Sequence, residues 1–527
     1  AVAAARQLTP RKAGQGRSIF MFHHLVTPKP TSDTVAAIDL GSNSFHMIVA
    51  RISGGDLQVV DKLREMVRLG AGLDEHKNLT PEAAARALEC LQRFGQRLHA
   101  LPAGSVRAVG TNTLRQVRDS GQFLKAAESA LGHPIEVIGG REEARLVYLG
   151  VAYGLTAGDD RRLVVDIGGG STELIIGEGF SPSFMESMHM GCVSMSRRFF
   201  ADAVITADRM RSAELTGALE MRPVKNFFRQ AGWQLAVGSS GTIRAIRDVT
   251  HAAGWADAAD GITRDGLQRL SQALVEAGRI DRIQLEGLSV ERRPVFAGGV
   301  AVLRAVFEAL SIEQMQVSDK ALREGLLYEM LGRTHQDDVR ESTMRALCGR
   351  YDVDMEQAGR VEATARALFD QVAEPWGLMD AEYAETLGLA ARLHEIGLTV
   401  SHAQYHKHGA YLIANSDMAG FSRQQQLVLS ALVRCHRRKF SVAIFNDALQ
   451  DDIVHCAMQL CVLLRLSVLL HRARHGSIEV DPVMSVNGNN MELKFPAGWL
   501  VAHPLPQMEL EQESKLLKAA GFRLKFS

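Results

Sequence analysis

Two aspartates each close an apolar run and open a turn rich in glycine and hydroxyls. The first is Asp39, followed by Leu40-Gly41-Ser42-Asn43-Ser44. The second is Asp166, followed by Ile167-Gly168-Gly169-Gly170-Ser171-Thr172. Backbone N–H groups exposed in such turns form a concavity that attracts anions, and glycine lets the backbone approach an anionic oxygen closely. A carboxylate at the strand end repels phosphate, but it is placed to hold Mg²⁺ or its waters, and the metal then bridges to phosphate. Glu173, seven residues after Asp166, is a further carboxylate in this position. A third turn, Gly238-Ser239-Ser240-Gly241-Thr242, follows a short strand and opens a helix from Ile243 to Val249. A helix N-terminus adds partial positive charge there. Each turn alone also fits a hairpin or a helix cap. Together, in this order, they point to phosphate and metal.

The elements that must position these turns can be read from the apolar pattern. Val35–Leu40 is a strand. Phe45–Val49, Leu57–Val60 and Met66–Leu69 continue a β-meander. Thr80 caps a helix that has Pro81 at its first position and runs to about His99. Strand Val106–Val109 leads to a turn at Thr111-Asn112-Thr113. Helix Phe123–Leu131, strand Ile135–Ile138 and helix Arg141–Tyr153 follow. A second unit then begins as the first did, with strands Arg162–Asp166 and Ser171–Ile176. Two copies of one supersecondary unit predict two similar lobes facing each other. A fourth glycine turn, Phe296–Val300, is expected to open a helix to Leu310. Beyond Leu331 the pattern is helical: Met344–Trp376, Asp380–Ile396, Arg423–Val433 and Ile453–His471. The tail alternates short strands, Met484–Val486 and Met491–Phe495, with a turn at 487–490 and a closing helix near Glu509–Ala519.

Composition bounds the function. The 527 residues carry 60 Lys+Arg against 60 Asp+Glu, so any basic site must be local and no nucleic-acid partner is indicated. The six cysteines, Cys90, Cys192, Cys348, Cys435, Cys456 and Cys461, form no CxxC pair, which fits a reduced cytoplasmic protein. The most apolar late stretch, Cys461–Leu470, is interrupted by Arg465 and is short of the roughly 20 residues that span a bilayer. The first twenty residues contain Arg6, Arg11, Lys12 and Arg17 and no long apolar run. Residues 1–33 read as a flexible lead-in rather than a signal peptide, with Met21 a candidate start.

The paired Asp-Gly turns resemble the actin, sugar-kinase and Hsp70 superfamily, whose two RNase H-like lobes clasp a nucleotide. The strings Ala37–His46, Gly140-Arg141-Glu142-Glu143-Ala144-Arg145-Leu146, Asp166–Glu173, Leu393-His394-Glu395-Ile396-Gly397-Leu398 and His408–Leu412 resemble more closely the exopolyphosphatase and guanosine pentaphosphate phosphohydrolase family. The triple glycine at 168–170 and the string Arg434-Cys435-His436-Arg437-Arg438-Lys439 favour the exopolyphosphatase branch. The resemblance implies an α/β fold. Its lobes would span 34–146 and 147–330, with an all-helical HD-like domain at 331–474 and a small β-rich domain at 475–527. It implies a catalytic glutamate, carried to Glu143, with Glu142 as rival. A carboxylate early in the helix joining the lobes could act as general base on water.

The activity implied is removal of terminal phosphate from inorganic polyphosphate with Mg²⁺, stimulated by K⁺. Conversion of guanosine pentaphosphate to tetraphosphate is the alternative, and a non-catalytic phosphate or nucleotide sensor is another. Metal would sit on Asp166, Glu173 and Asp39. Phosphate would meet residues 41–44, 168–172 and 238–242. A homodimer, cytoplasmic or peripheral on the inner membrane face, is also implied.

The helical region holds two further signals. His394-Glu395 resembles the His-Asp metal signature, but Glu stands where Asp would bind metal, and upstream only His335 lies in this domain; a degenerate structural role is expected. His402, His406, Lys407 and His408, with Arg434, His436, Arg437, Arg438 and Lys439, could form a basic track for a long polyanion. Arg115 is a candidate charge clamp, and Arg51, Arg64 and Arg68 could extend the track. The alternative is a solvated charged face.

Overall fold

The computed structural model describes residues 32–53, 56–118, 120–155, 160–256, 261–331, 336–416, 418–474 and 482–527. The expected lead-in up to residue 31, Met21 included, and His335 lie outside these.

The first sheet begins with an antiparallel meander of β1 (Thr34–Leu40), β2 (Phe45–Ser53) and β3 (Asp56–Glu65). Met66–Leu69 does not continue it. The backbone turns left-handed at Arg68 (φ 53°) and enters a 3₁₀ turn, Leu69–Gly72. That turn braces the first glycine loop: Arg68 N–H donates to Asn43 O and Gly70 N–H to Ser42 O, both at 2.8 Å. Helix α1 (Pro81–Leu98) starts as expected, with the Thr80 side chain accepting from Ala83 N–H. Strand β4 (Val106–Gly110) lies parallel to β1. A short helix α2 (Asn112–Gln116) stands where the sequence suggested only a turn. Helix α3 (Ser120–Leu131) and β5 (Ile135–Val137) complete the order β3-β2-β1-β4-β5.

Helix α4 (Gly140–Ala152) leads to the second sheet, which opens with the same meander: β6 (Arg161–Ile167), β7 (Thr172–Glu178) and β8 (Ser181–Met188). Then come α5 (Cys192–Phe199), α6 (Ala207–Met221), α7 (Lys225–Ala231), β9 (Leu235–Ser239), α8 (Ser240–Ala252), β10 (Ile262–Thr263), α9 (Arg264–Ala277), α10 (Arg293–Leu310) and β11 (Gln314–Val317). The order is β10-β11-β9-β6-β7-β8, with β9 parallel to β6. Gly298 and Gly299 do not open a helix. They lie inside α10, where a methyl on Gly298 would stand 2.7 Å from Cys192 O, so these glycines let α10 lie directly against α5.

Strand alternation explains how the two sheets join. Ala36, Ile38 and Leu40 face one core with α1 and α3, while Leu163, Val165 and Ile167 face another with α5, α8 and α10. The opposite faces, Val35 and Ala37 of β1 and Val164 of β6, share a third core built on α4 and α11 (Leu322–Met330). A methyl on Gly150 would fall on Ala321 O, and one on Gly325 on Leu146 O. The two helices therefore touch backbone to backbone.

The remaining helices are α12 (Gln336–Arg350), α13 (Met355–Trp376), α14 (Ala381–Leu393), α15 (Tyr405–Asn415), α16 (Arg423–Cys435), α17 (Val442–Ala448) and α18 (Asp451–Leu470). The expected single helix Met344–Trp376 is two. Asp352 adopts φ 47°, and Asp354 Oδ1 accepts from Gln357 N–H, which starts a new helix. The tail folds as β12 (Val483–Asn487), β13 (Asn490–Lys494), α19 (Trp499–Ala502), α20 (Pro504–Ala519) and β14 (Arg523–Phe526), with β14 parallel to β13.

The chain groups into two compact units. One takes the described residues up to Ala358 together with Leu393–Arg434. The other takes Gly359–Arg392 and Cys435–Ser527. This grouping cuts across the 331–474 segment expected as one domain. In the second unit, α18 is apolar over Ile453–Leu470, 18 residues at mean hydropathy 2.0, longer than the stretch read from sequence. Its length and composition would suffice to cross a membrane, and 83% of it is buried within the protein. Arg465 is buried there, donating to Glu513 Oε1 (2.5 Å), to Arg438 O (2.8 Å) and to Cys435 O.

Candidate functional site

The two glycine turns converge. A methyl on Gly169 would stand 2.7 Å from Ser42 Cβ, so the second turn seats directly on the first. The second is pinned by backbone bonds: Gly168 N–H donates to Ser171 O at 2.9 Å, and Cys192 N–H to Gly168 O at 2.9 Å. Between them lies a cleft of about 120 Å³. Of the residues singled out in the sequence, Asp39, Gly41, Ser42, Asn43, Ser44, Glu143, Asp166, Gly168, Gly169, Ser171, Ser240, Gly241 and Thr242 line it. The third turn is shorter than expected. Helix α8 already starts at Ser240 (φ 90°), whose Oγ accepts from Ile243 N–H, so the helix N-terminus itself faces the cleft.

The carboxylates crowd together. Asp39 is pushed up to about 7 by burial first; Arg323 opposes this, while Glu143 and Asp166 add to it. Asp166 is pushed up to about 6, again by burial, with the Ser239 hydroxyl opposing and Glu143 adding. Glu173 is held well above the ordinary carboxylate range by burial and by Glu143 and Asp166. Register explains the crowding, since Asp166 pairs across the strands with Glu173. Asp39 Oδ1 is buried with no hydrogen-bond partner. A buried acceptor left unpaired costs about 1–3 kcal/mol, so a cation or donor fits at this position. Among the described residues, no three His, Cys, Asp or Glu side chains are arranged to enclose a metal alone. A hard divalent ion would then draw most ligands from water and substrate, as Mg²⁺ ordinarily does.

Glu143 and Glu142 are told apart by what they touch. Glu143 Oε2 accepts from Arg115 Nη1 at 2.8 Å, and the same nitrogen donates to Ile138 O at 2.8 Å. Arg115 thus holds Glu143 and does not line the cleft as a clamp. Glu142 is turned away and buried. It accepts from Arg145 Nε (2.9 Å) and from Gly420 N–H (2.7 Å), and Arg145 and Arg107 both contact the buried Glu329. Arg145 holds the Glu142 carboxyl below its ordinary value despite burial.

The cationic part of the cleft lining was not read from the sequence. Arg244, Arg292 and Arg323 line it, with His46 and Asn112. Burial, then the neighbouring Arg64, brings Arg292 down to about 10. A methyl on Gly241 would fall on the Arg292 guanidinium. The missed signal was positional: Arg244 lies three residues after Gly241, and Arg292 immediately precedes α10, two residues before Pro294.

Other expected site residues fall elsewhere. Thr172 is fully buried and its hydroxyl donates to Met190 O at 2.6 Å, so it is committed within the fold. Gly170 packs on Asn112. Gly238 lies in β9, where a methyl would stand 2.6 Å from Ile243 Cγ2. Ser239 stands beside Asp166 but donates to Lys320 O. Glu173 lies behind the lining, accepting from Ser187 Oγ at 2.9 Å. His406 and His436 are buried, which removes both from any surface track; Lys407, Arg438 and Lys439 are exposed, and His408, Arg434 and Arg437 half-buried. Lys407, His408 and Arg434 belong to one compact unit and residues 436–439 to the other. His394 and Glu395 are buried beyond the end of α14.

A model of the Ppx/GppA phosphatase family matches residues 48–334, and one of Ppx/GppA phosphatase domain III matches residues 339–514. Among solved structures, an exopolyphosphatase from Cytophaga hutchinsonii is 25% identical with a TM-score of 0.52, over 57% of this chain and 98% of its own. An exopolyphosphatase-like protein is 25% identical with a TM-score of 0.51, over 56% of this chain and 97% of its own.

Proposed function

Because the chain belongs to the Ppx/GppA phosphatase family, hydrolases of phosphoanhydrides, we propose that its cleft removes the terminal phosphate of inorganic polyphosphate, with guanosine pentaphosphate as the alternative substrate. The observation that carries this reading is Glu143, a carboxylate lining the cleft between two anion-binding turns, with one oxygen held by Arg115. Its other oxygen is available to take a proton from water as that water attacks the terminal phosphorus in line.

The chain's own groups supply the rest of the chemistry. Backbone N–H groups of the turns at 41–44 and 169–171, and the N-terminus of α8, offer fixed donors to the phosphoryl oxygens. Arg244, Arg292 and Arg323 line the cleft, and their guanidinium groups suit the phosphates behind the scissile bond. Mg²⁺, held by Asp39 and Asp166 with Glu173 behind them, would neutralise charge on the transferring group. A homodimer and a cytoplasmic setting go with this reading; light scattering of the purified chain checks the first.

Hydrolysis in ¹⁸O-water tests the reaction directly. Attack at the terminal phosphorus places one ¹⁸O in the released orthophosphate; label found only in the remaining chain would refute it. Comparing kcat/KM for long-chain polyphosphate and for guanosine pentaphosphate decides the substrate.

A further inference from the structure

His46 touches two groups whose hydrogen-bonding roles are unequal. Its Nδ1 lies 3.0 Å from Arg323 Nη1, and its Nε2 lies 2.8 Å from Ser44 Oγ. A guanidinium has donors only, so Nδ1 must accept. The ring's single hydrogen is then on Nε2 and is donated to Ser44 Oγ. We propose that His46 is a positioning residue: by donating to Ser44 it leaves the Ser44 hydrogen as the one that reaches a phosphate oxygen in the cleft. This rests on the phosphate-binding reading of the site given above.

The opposite tautomer would reverse the outcome. With hydrogen on Nδ1, the ring would clash with Arg323, and Ser44 would spend its hydrogen on Nε2. Only lone pairs would then face an anionic oxygen. One proton thus decides whether Ser44 attracts or repels the substrate. The surroundings hold the arrangement. Arg323 comes from the first turn of α11, and Ser44 and His46 from the first glycine turn and β2, so the fold must close before the relay exists. Burial first, then the charges of Arg323, Arg64 on β3, Arg244 on α8 and Arg292 just before α10, keep the ring neutral. Asp39 lies opposite it across the strand pair. A neutral ring beside four guanidinium groups adds no competing charge to the cleft.

The test is a cycle of variants read as kcat/KM for orthophosphate release from long-chain polyphosphate. Ser44→Ala and His46→Leu should each lose about ten- to a hundredfold, the worth of one hydrogen bond to a charged group. The double variant should be no worse than either single one, because His46 acts through Ser44. His46→Gln, whose amide nitrogen donates and whose oxygen accepts at similar spacing, should recover most of the loss. Losses that multiply in the double variant, an unaffected Ser44→Ala, or a Gln variant no better than Leu would overturn the proposal. A second measurement does not need turnover. With ¹⁵N-histidine labelling and assignment by His46→Gln, the His46 ring should carry its hydrogen on Nε2 from pH 6 to 8; hydrogen on Nδ1 would overturn the relay. A wild type that releases no phosphate would instead count against the hydrolase reading, leaving the tautomer to be decided by the spectrum.

Discussion

Adjacent glutamates on α4 have different fates. Glu143 meets the cleft and Glu142 meets Arg145 and Gly420 N–H. The sequence places both in the first turn of a helix and cannot say which faces inward, because that depends on where the 418–424 segment docks. Removing one partner of a buried ion pair costs about 3–5 kcal/mol. Glu142→Ala should therefore unfold at markedly lower urea concentration than wild type. An unchanged midpoint would show that the buried network contributes little. The pKa shifts in this region act in opposite directions. Glu142 is depressed, so its contribution is present at neutral pH and is lost as pH falls. Asp39 and Asp166 are raised to about 7 and about 6, so the folded chain binds more protons there than the unfolded chain from about pH 4 upward. Their contribution is therefore lost as pH rises through that window. A divalent cation should restore it, so Mg²⁺ should raise the melting temperature more at pH 8 than at pH 5. An equal shift at both would place the cation elsewhere.

At the scale of elements, the apolar-Asp-glycine pattern was legible because strand, turn and strand are local, and the register Asp39–His46 repeats as Asp166–Glu173. What was not legible depended on distant packing. Met66–Leu69 looked like a strand, yet Arg68 N–H, and Gly70 N–H just beyond it, are taken by the first glycine turn. Gly298-Gly299 looked like a turn opening a helix, yet it is a helix face pressed on α5. The arginines of the cleft could not be read at all, since Arg244 and Arg323 come from α8 and α11 and Arg292 from the residue before α10. Two substitutions probe these contacts. Gly150→Ala puts a methyl against the Ala321 backbone, which cannot swing aside, and should cost roughly 1–3 kcal/mol in urea unfolding. Gly241→Ala instead meets the end of the Arg292 side chain, which can move. It should keep stability and raise KM for the phosphate chain. A raised KM with equal loss of stability would mean that the turn itself had collapsed.

The whole molecule gathers carboxylates and guanidinium groups around one cleft, a lining suited to a cation, a water and a chain of phosphates. The two lobes build that cleft from a repeated unit, and α4 and α11, packed between their sheets, bring Glu143 and Arg323 to it. The basic run near residues 402–439 looked like a second polyanion surface in the sequence, but burial removes His406 and His436. The measurement that bears most directly on the central claim is orthophosphate release from long-chain polyphosphate with Mg²⁺, wild type beside Glu143→Ala. Wild type should release phosphate, and the variant should fall by about 10²–10⁴-fold at an unchanged melting temperature, the range expected for loss of a general base. A variant that keeps the wild-type rate, or a wild type that releases none, would contradict the account.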